Sequence, residues 1–184
     1  MALLSFRHRL TLALASVLLA LASPLRAATP EYQIKAVFLF NFTQFVEWPA
    51  TAFADPSAPV VIGVLGDDPF GAALDEAVRG EKAGSRPLVV QRFRRAEEVT
   101  DCHILFVSRS EEPRFADIFP RLARRSILTV GDSEGFATHG GMIRFVTERN
   151  KTRLRINVEA AKAAGLTLSS KLLRPAEIVE SGKG

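Results

Sequence analysis

Hydrophobic and polar residues recur along the chain in a pattern that predicts strands separated by helices. Polar or glycine-bearing loops follow short apolar runs of strand length, which span residues 60–65, 88–93, 103–107 and 127–130. Helical spacing of apolar residues is found between such runs, as in residues 115–122. Buried strands that alternate with helices are typical of a parallel sheet covered on both faces.

The pattern changes near the C-terminus. Residues 141–147 and 151–156 have strand character and flank a short polar segment, which predicts a β-hairpin. Helices are predicted for residues 157–164, with Asn157 as the cap, and for residues 169–174. The whole pattern predicts an α/β fold: a single compact Rossmann-like domain with a mostly parallel sheet, helices on both faces and a C-terminal β-hairpin.

An aromatic-rich segment, residues 32–48, has the spacing of a helix. One predicted buried stripe is formed by Ile34, Phe38, Phe42 and Phe45. Further apolar residues extend beyond this stripe, namely Leu39, Phe40 and Val46. A helix that is apolar on more than one face is either deeply buried or shared with another chain. Burial within the domain is the simpler interpretation, and a dimer or partner surface is the alternative.

The first 28 residues have the composition of a targeting segment. Basic residues, Arg7 and Arg9, precede an apolar run at residues 10–22, and small residues follow it. We predict a cleavable signal peptide at residues 1–28, with an uncleaved membrane anchor as the alternative. Residues 29–184 are enough for one domain with its own hydrophobic core. The chain is therefore expected to be exported, most simply into a bacterial periplasm.

Removal of the signal peptide changes the charge balance. Of the 24 Lys and Arg residues, three lie in that segment, which holds no acidic residue, so the net charge falls from +4 to +1. So small a charge does not support nucleic-acid binding. A local cluster remains at Lys151, Arg153 and Arg155, on one side of a predicted strand. A solvated face is the usual interpretation of such a cluster, and an acidic partner is the alternative.

Loops at the carboxyl ends of three predicted parallel strands are expected to converge, because such ends share one edge of a sheet. These loops span residues 66–71, 108–111 and 131–136. They supply the predicted ligand-binding residues, which are Asp67, Asp68, Arg109, Glu111, Asp132, Ser133, Glu134 and Gly135. Two plainer interpretations stay open: the acids cap helices, as Asp68 and Asp132 could, and the glycines only turn the chain.

No catalytic motif supports an enzyme. The sequence has no Gly-x-Ser-x-Gly elbow, HExxH motif, Walker loop or GxGxxG after the first strand. Neither His103 nor His139 has companions at metal-ligand spacing, so we predict no metal and no cofactor. Cys102 adjoins His103, but adjacent strand residues point to opposite faces and do not form a catalytic pair. A hydrolase remains an alternative that would require Asp67 or Asp132 in a deep pocket with a raised pKa.

Five motifs together carry a resemblance to a known family. They are YQIKAVFLFNFTQFVEWP (32–49), GDDPFG (66–71), DCHILFVSRSE (101–111), LTVGDSEGFATHGGMIRF (128–145) and INVEAAKAAGLTLSSKLLRPAEIV (156–179). In this order and spacing they resemble the YfiR-like family of periplasmic proteins over about residues 31–180. The resemblance implies a repressor that binds the periplasmic sensor region of an inner-membrane diguanylate cyclase, lowers cyclic di-GMP signalling and restrains biofilm formation. It also implies a compact, often dimeric α/β fold and membrane association only through the partner.

One departure from the family concerns redox control. Redox-sensing members carry additional cysteines that form disulfides, whereas Cys102 stands alone here, which excludes an intramolecular disulfide switch. The candidate partner or dimer residues are Phe40, Trp48, Leu172, Leu173 and Arg174. The loop 132–141 is the candidate sensory crevice. The alternative function is a periplasmic small-molecule receptor that feeds another transmembrane signalling or transport protein.

Overall fold

The computed structural model of the chain describes residues 28–149 and 151–180. The predicted signal peptide therefore lies outside the described residues, except for its last residue, Ala28. Among the described residues, no helix combines the length and the apolar character that crossing a membrane requires.

Helices and strands follow the predicted order closely. The α-helices are α1 (Pro30–Phe45), α2 (Ala72–Val78), α3 (Phe115–Leu122), α4 (Val158–Ala163) and α5 (Ser170–Leu173). The strands are β1 (Val46–Glu47), β2 (Val60–Leu65), β3 (Lys82–Ala83), β4 (Arg86–Phe93), β5 (Ile104–Val107), β6 (Leu128–Gly131), β7 (Ile143–Glu148), β8 (Lys151–Ile156), β9 (Thr167–Leu168) and β10 (Glu177–Ile178). The strands predicted from apolar runs and the C-terminal hairpin are thus confirmed, and Asn157 caps α4 by accepting a hydrogen bond from the Ala160 amide at 2.9 Å.

The main sheet has eight strands in the order β10-β8-β7-β6-β5-β2-β4-β3. The strands β4, β2, β5, β6 and β7 run parallel to one another, whereas β8 is antiparallel to β7 and β3 is antiparallel to β4. The sheet is therefore mixed, and the prediction of a mostly parallel sheet is corrected. The reason is that the hairpin extends the sheet: β7 pairs with β6, and a tight turn can return β8 only in the antiparallel direction. The fold is mixed α/β, while the narrower Rossmann-like assignment stays a prediction.

Side chains of the central strands alternate between two hydrophobic cores. In β5, Ile104 and Phe106 enter one core and Leu105 and Val107 enter the other. Residues from α1, α2, α4 and α5 cover the first core, and residues from α3 cover the second. This alternation is the period of two that a strand imposes, and it places helices on both faces of the sheet as predicted.

Helix α1 is rotated relative to the predicted stripe. Its buried residues are Lys35, Ala36, Leu39, Phe42 and Thr43. Phe42 is buried as predicted, but Ile34 is 50% exposed, so its place in the buried stripe was wrong. The inward orientation of Lys35 sets this rotation, because a buried carboxylate on another element neutralises its charge.

Candidate functional site

The carboxyl ends of β2, β5 and β6 lie side by side, because β5 pairs with both of the other strands. The strand order also reverses here, since β4 and β5 flank β2 on opposite sides. Such a switch point is where open α/β sheets usually bind ligands. Neighbouring loops meet across this edge: the Asp67 amide donates to Ser110 Oγ at 2.9 Å, and Arg109 Nε donates to Asp132 Oδ1 at 3.0 Å.

A crevice of about 540 Å³ lies between the loops that follow β2 and β5. Its lining residues are Gly66, Asp67, Asp68, Arg94, Ser110, Glu111 and Arg114. The crevice thus gathers three of the predicted ligand-binding residues: Asp67, Asp68 and Glu111. The other five lie outside its lining in the described part of the chain: Arg109, Asp132, Ser133, Glu134 and Gly135.

Two of the three crevice acids already have partners. Asp68 Oδ1 accepts the Phe70 amide at 2.7 Å, and its other oxygen pairs with Arg92 Nε at 2.7 Å. Asp68 therefore stabilises the turn before α2, whereas the N-cap position of this helix is Gly71 and has no side-chain cap, so the plainer interpretation of Asp68 as a helix cap was wrong. Glu111 is buried, and its Oε1 accepts a hydrogen bond from Arg114 at 2.5 Å. Asp67 is exposed and forms no ion pair within the described residues.

Asp132 instead belongs to a buried ion pair with Lys35. Lys35 Nζ lies 2.5 Å from Asp132 Oδ2, and each side chain is 1% exposed. The Tyr32 hydroxyl donates to the same oxygen at 2.8 Å, while Arg109 donates to Oδ1. Glu31 Oε1 lies 2.6 Å from Lys35 Nζ, one helical turn away. We call these residues, Glu31, Tyr32, Lys35, Arg109 and Asp132, the Lys35–Asp132 cluster; it ties α1 to the carboxyl end of β6.

The electrostatics of this cluster keep Asp132 ionised. Burial alone would raise the pKa of Asp132, but hydrogen bonds from Lys35 and Tyr32 and the charge of Lys35 outweigh it, so the pKa lies below its ordinary value. Burial and the neighbouring carboxylate of Asp132 together raise the pKa of Tyr32, which holds its proton. The hydrolase alternative required a raised pKa at its carboxylate, and Asp132 has the opposite shift.

Sequence reasoning missed the role of Lys35. Charged residues are almost never fully buried unless they are paired, so an apolar-periodicity argument assigns a lysine to the solvent side of a helix. A signal was nevertheless present: Lys35 is the one basic residue of the aromatic-rich segment 32–48, and Asp132 directly follows a buried strand. A cation and an anion in two such positions indicate a buried pair.

The rest of the loop 132–141 is organised around Phe136, which is fully buried. The Phe136 ring packs against Phe115 and Phe119 at centroid distances of 5.8 and 5.2 Å. A methyl group at Gly131 or Gly141 would overlap this ring, so both glycines are needed for its close approach.

The neighbouring predicted residues of this loop have different surroundings. Ser133 is buried, and its Oγ has no hydrogen-bond partner among the described residues. Glu134 is exposed. The Gly135 carbonyl accepts a hydrogen bond from Thr138 Oγ1 at 2.8 Å. These contacts make the segment a structured turn against α3.

The proposed partner residues do not form one exposed patch. Leu172 is buried, and Phe40 and Leu173 are half-buried against the core. Trp48 is also half-buried, and its Nε1 donates to the His103 carbonyl at 3.2 Å. Arg174 is exposed. The large apolar residues that α1 exposes are Ile34 and Val37, each 50% exposed; the sequence missed them because it assigned Ile34 to the buried stripe.

Cys102 and His103 are both buried, and their contacts fit a structural role. Burial raises the pKa of the Cys102 thiol to about 12, so it is a thiol rather than a thiolate at neutral pH. His103 Nδ1 accepts a hydrogen bond from the Val61 amide at 3.1 Å, so this ring has a backbone partner. Among the described residues, no group of His, Cys, Asp and Glu is arranged to hold a metal ion.

The sequence was compared with models of known protein families. The sequence model described as YfiR/HmsC-like matches residues 32–177. The chain belongs to the YfiR/HmsC-like family. At the level of the family, YfiR/HmsC-like proteins are periplasmic regulators of diguanylate cyclases that work with a membrane-bound cyclase as partner. No curated protein matches the chain significantly. The matched range contains the whole crevice and, except for Glu31, the whole Lys35–Asp132 cluster.

Proposed function

We propose that this chain represses an inner-membrane diguanylate cyclase by binding the cyclase's periplasmic region. Repression lowers the cyclic di-GMP level and restrains biofilm formation, and the chain reaches the periplasm through a cleavable signal peptide at residues 1–28. The observation that carries the proposal is the YfiR/HmsC-like match, which covers residues 32–177 and thus nearly the whole described domain.

Repression of this kind needs no chemistry. A regulator that binds the inactive state of the cyclase more tightly than the active state shifts the population toward inactivity. The acids of this chain suit a structural rather than a reactive role, since Asp68, Glu111 and Asp132 are each paired with a cation.

The exposed ridge of α1 is our proposed contact with the cyclase. Ile34 and Val37 are each half-exposed, and residues three apart are neighbours on a helix surface. Phe40 continues the same spacing and is half-buried. Removal of such apolar side chains from water favours association, and a membrane cyclase is the partner expected from the family. A second copy of this chain is the competing occupant.

The double substitution Ile34→Asp with Val37→Asp is expected to abolish repression, because two carboxylates would have to be buried in the contact. Cyclic di-GMP should rise to the level of cells that lack the chain, measured with the cyclase co-expressed. Ile178→Asp is the matched control, since Ile178 is 53% exposed but lies on β10. Thermal melts should show that both variants stay folded.

Full repression by a folded Ile34→Asp, Val37→Asp variant would refute the α1 contact. If the variant still represses but sediments as a smaller particle than the wild type, the ridge is a contact between copies of this chain instead.

A second candidate function, a small-molecule receptor, is favoured by one observation: the crevice at the switch point between β2 and β5. Its wall carries both charge signs, with the carboxylate of Asp67 exposed beside Arg94. This arrangement suits a small polar ligand.

Ser110→Trp is expected to fill this crevice and to prevent ligand retention while the fold is kept, since Ser110 is exposed. Mass spectrometry of small molecules released from the natively purified chain provides the measurement. Ala116→Trp is the control, because Ala116 is exposed on α3 outside the crevice lining. An empty wild-type chain, or equal retention by both variants, would remove the receptor function from consideration.

A further inference from the structure

The outer face of the β7–β8 hairpin is cationic while its inner face belongs to the core. The cross-strand register places Arg144 opposite Arg155, Val146 opposite Arg153 and Glu148 opposite Lys151. The alternate residues enter the hydrophobic core beneath α1, namely Ile143, Phe145, Leu154 and Ile156. We define the basic face as Arg144, Lys151, Arg153 and Arg155, together with Arg149 at the turn and Arg174 beside β8.

Most of these cations have no counter-charge. Arg155 pairs with Glu177 at 2.8 Å and lies 3.9 Å from Glu148. Across residues 28–149 and 151–180, no ion pair is formed by the other cations of the face, which are Arg144, Arg149, Lys151, Arg153 and Arg174. The face therefore holds a surplus of positive charge, although the chain without its signal peptide is nearly neutral.

Two details indicate that this face suits an anion. Arg144 lies directly opposite the like charge of Arg155, and Glu177 pairs with Arg155 but not with Arg144. The Nε atom of Arg144 is also buried, with no hydrogen-bond partner among the described residues. A buried donor normally has an acceptor, and an anion from outside the chain would provide one for Arg144.

The shape of the face favours an extended anionic surface over a peptide. Two depressions lie on it, with volumes of about 270 and 250 Å³. The described side chains that line the first depression are all charged, and they come from Glu148, Arg149, Lys151 and Arg153. Alternate cations along β8 stand roughly 7 Å apart on the strand. A peptide site would have apolar pockets for side chains between the polar contacts; apolar residues line the second depression, namely Val146, Leu154, Pro175 and Ala176, but not, among the described residues, the first.

We propose that the basic face binds the phosphate headgroups of an anionic phospholipid bilayer and holds the chain at the membrane surface. Lys and Arg clusters bind such surfaces through the negative potential of the headgroups. The sequence predicted membrane contact only through a partner protein, and this inference goes beyond the proposed function, since a cyclase repressor need not touch lipid.

Vesicle sedimentation tests the proposal with the chain recovered from the periplasm. The chain should sediment with vesicles of phosphatidylcholine and phosphatidylglycerol at low salt, be released by salt, and remain in solution with pure phosphatidylcholine. The triple variant Arg149→Gln, Lys151→Gln, Arg153→Gln should bind about a hundredfold more weakly. All three side chains are exposed, so the fold should persist.

The control triple variant is Arg79→Gln, Lys82→Gln, Lys171→Gln, which removes the same charge from exposed residues outside the basic face and should bind like the wild type. Equal weakening by both triple variants would show that net charge alone acts, and would overturn the proposal. Absence of vesicle binding by the wild type would also overturn it. In that case both proteins can be tested on immobilised polyglutamate. If the column retains the wild type but not the triple variant Arg149→Gln, Lys151→Gln, Arg153→Gln, the face is assigned to an acidic protein segment.

Discussion

Replacement of Asp132 with alanine is expected to lower the free energy of unfolding by about 3 kcal/mol, because the buried Lys35 loses its closest counter-charge. Both side chains are 1% exposed, and their charged atoms are 2.5 Å apart. The loss should fall at the low end of the range for broken buried pairs, since Glu31 stays 2.6 Å from Lys35 Nζ. Denaturant titration of the variant and the wild type measures the difference.

A double variant separates the charge from the packing. Lys35→Met with Asp132→Leu removes both charges, and apolar replacements of a buried pair are often neutral. This variant should therefore be more stable than Asp132→Ala alone. A single Asp132→Ala variant as stable as the wild type would show that the Lys35–Asp132 cluster does not hold α1 in place.

Low pH should lower the stability of the folded wild type through the Lys35–Asp132 ion pair. The pKa of Asp132 is lower in the folded chain than its ordinary value of about 3.9. The unfolded chain therefore takes up the proton first as the pH falls, so the contribution of Asp132 is complete above its unfolded pKa and is lost as the pH falls through its folded pKa. Below about pH 4 the melting temperature of the wild type should fall more steeply than that of Lys35→Met with Asp132→Leu.

Phe136→Ala is expected to cost about 3–5 kcal/mol, the range for deletion of a buried phenylalanine. Phe136 is fully buried and joins Phe115 and Phe119 in the core beneath α3. The cavity would open where the loop 132–141 turns back toward β7, so this loop should become more susceptible to protease than the rest of the domain. Denaturant titration and limited proteolysis test these two effects.

A pair of substitutions tests whether Gly141 is needed to leave room for the Phe136 ring. Gly141→Ala should destabilise the wild type, because the added methyl group overlaps the Phe136 ring. In a Phe136→Leu background the same substitution should cost less, since leucine leaves more room. Equal costs in the two backgrounds would mean that Gly141 is required for the turn itself.

Local sequence patterns predicted most of the elements, because burial on both faces leaves a continuous apolar run in a strand such as β2. The meeting of loops at one edge of the sheet also followed from the pattern, since it depends only on which strands are parallel neighbours. The contact between the Asp67 amide and Ser110 is an instance.

The features that the sequence did not predict depend on contacts between distant residues. Hydrophobic periodicity placed Ile34 inside and gave no reason to bury Lys35, which pairs with a carboxylate in the loop that follows β6. The pairing of β7 with β6 is likewise a contact between elements, so the hairpin could be predicted but not its place in the sheet. For the same reason the predicted ligand-binding residues do not all line the crevice. Asp132 forms a buried ion pair with Lys35, while Asp67 lies exposed in the crevice wall.

The separation of Lys35 and Asp132 along the chain constrains the order in which this protein assembles. The two residues are 97 positions apart, so helix α1 is synthesised long before the carboxylate of Asp132. Until Asp132 has been synthesised, burial of Lys35 would leave its ammonium group with only Glu31 as a counter-charge among the described residues, and the helix is favoured to stay hydrated. We therefore expect α1 to dock late in folding, and a fragment that ends before residue 132 should leave this helix detached.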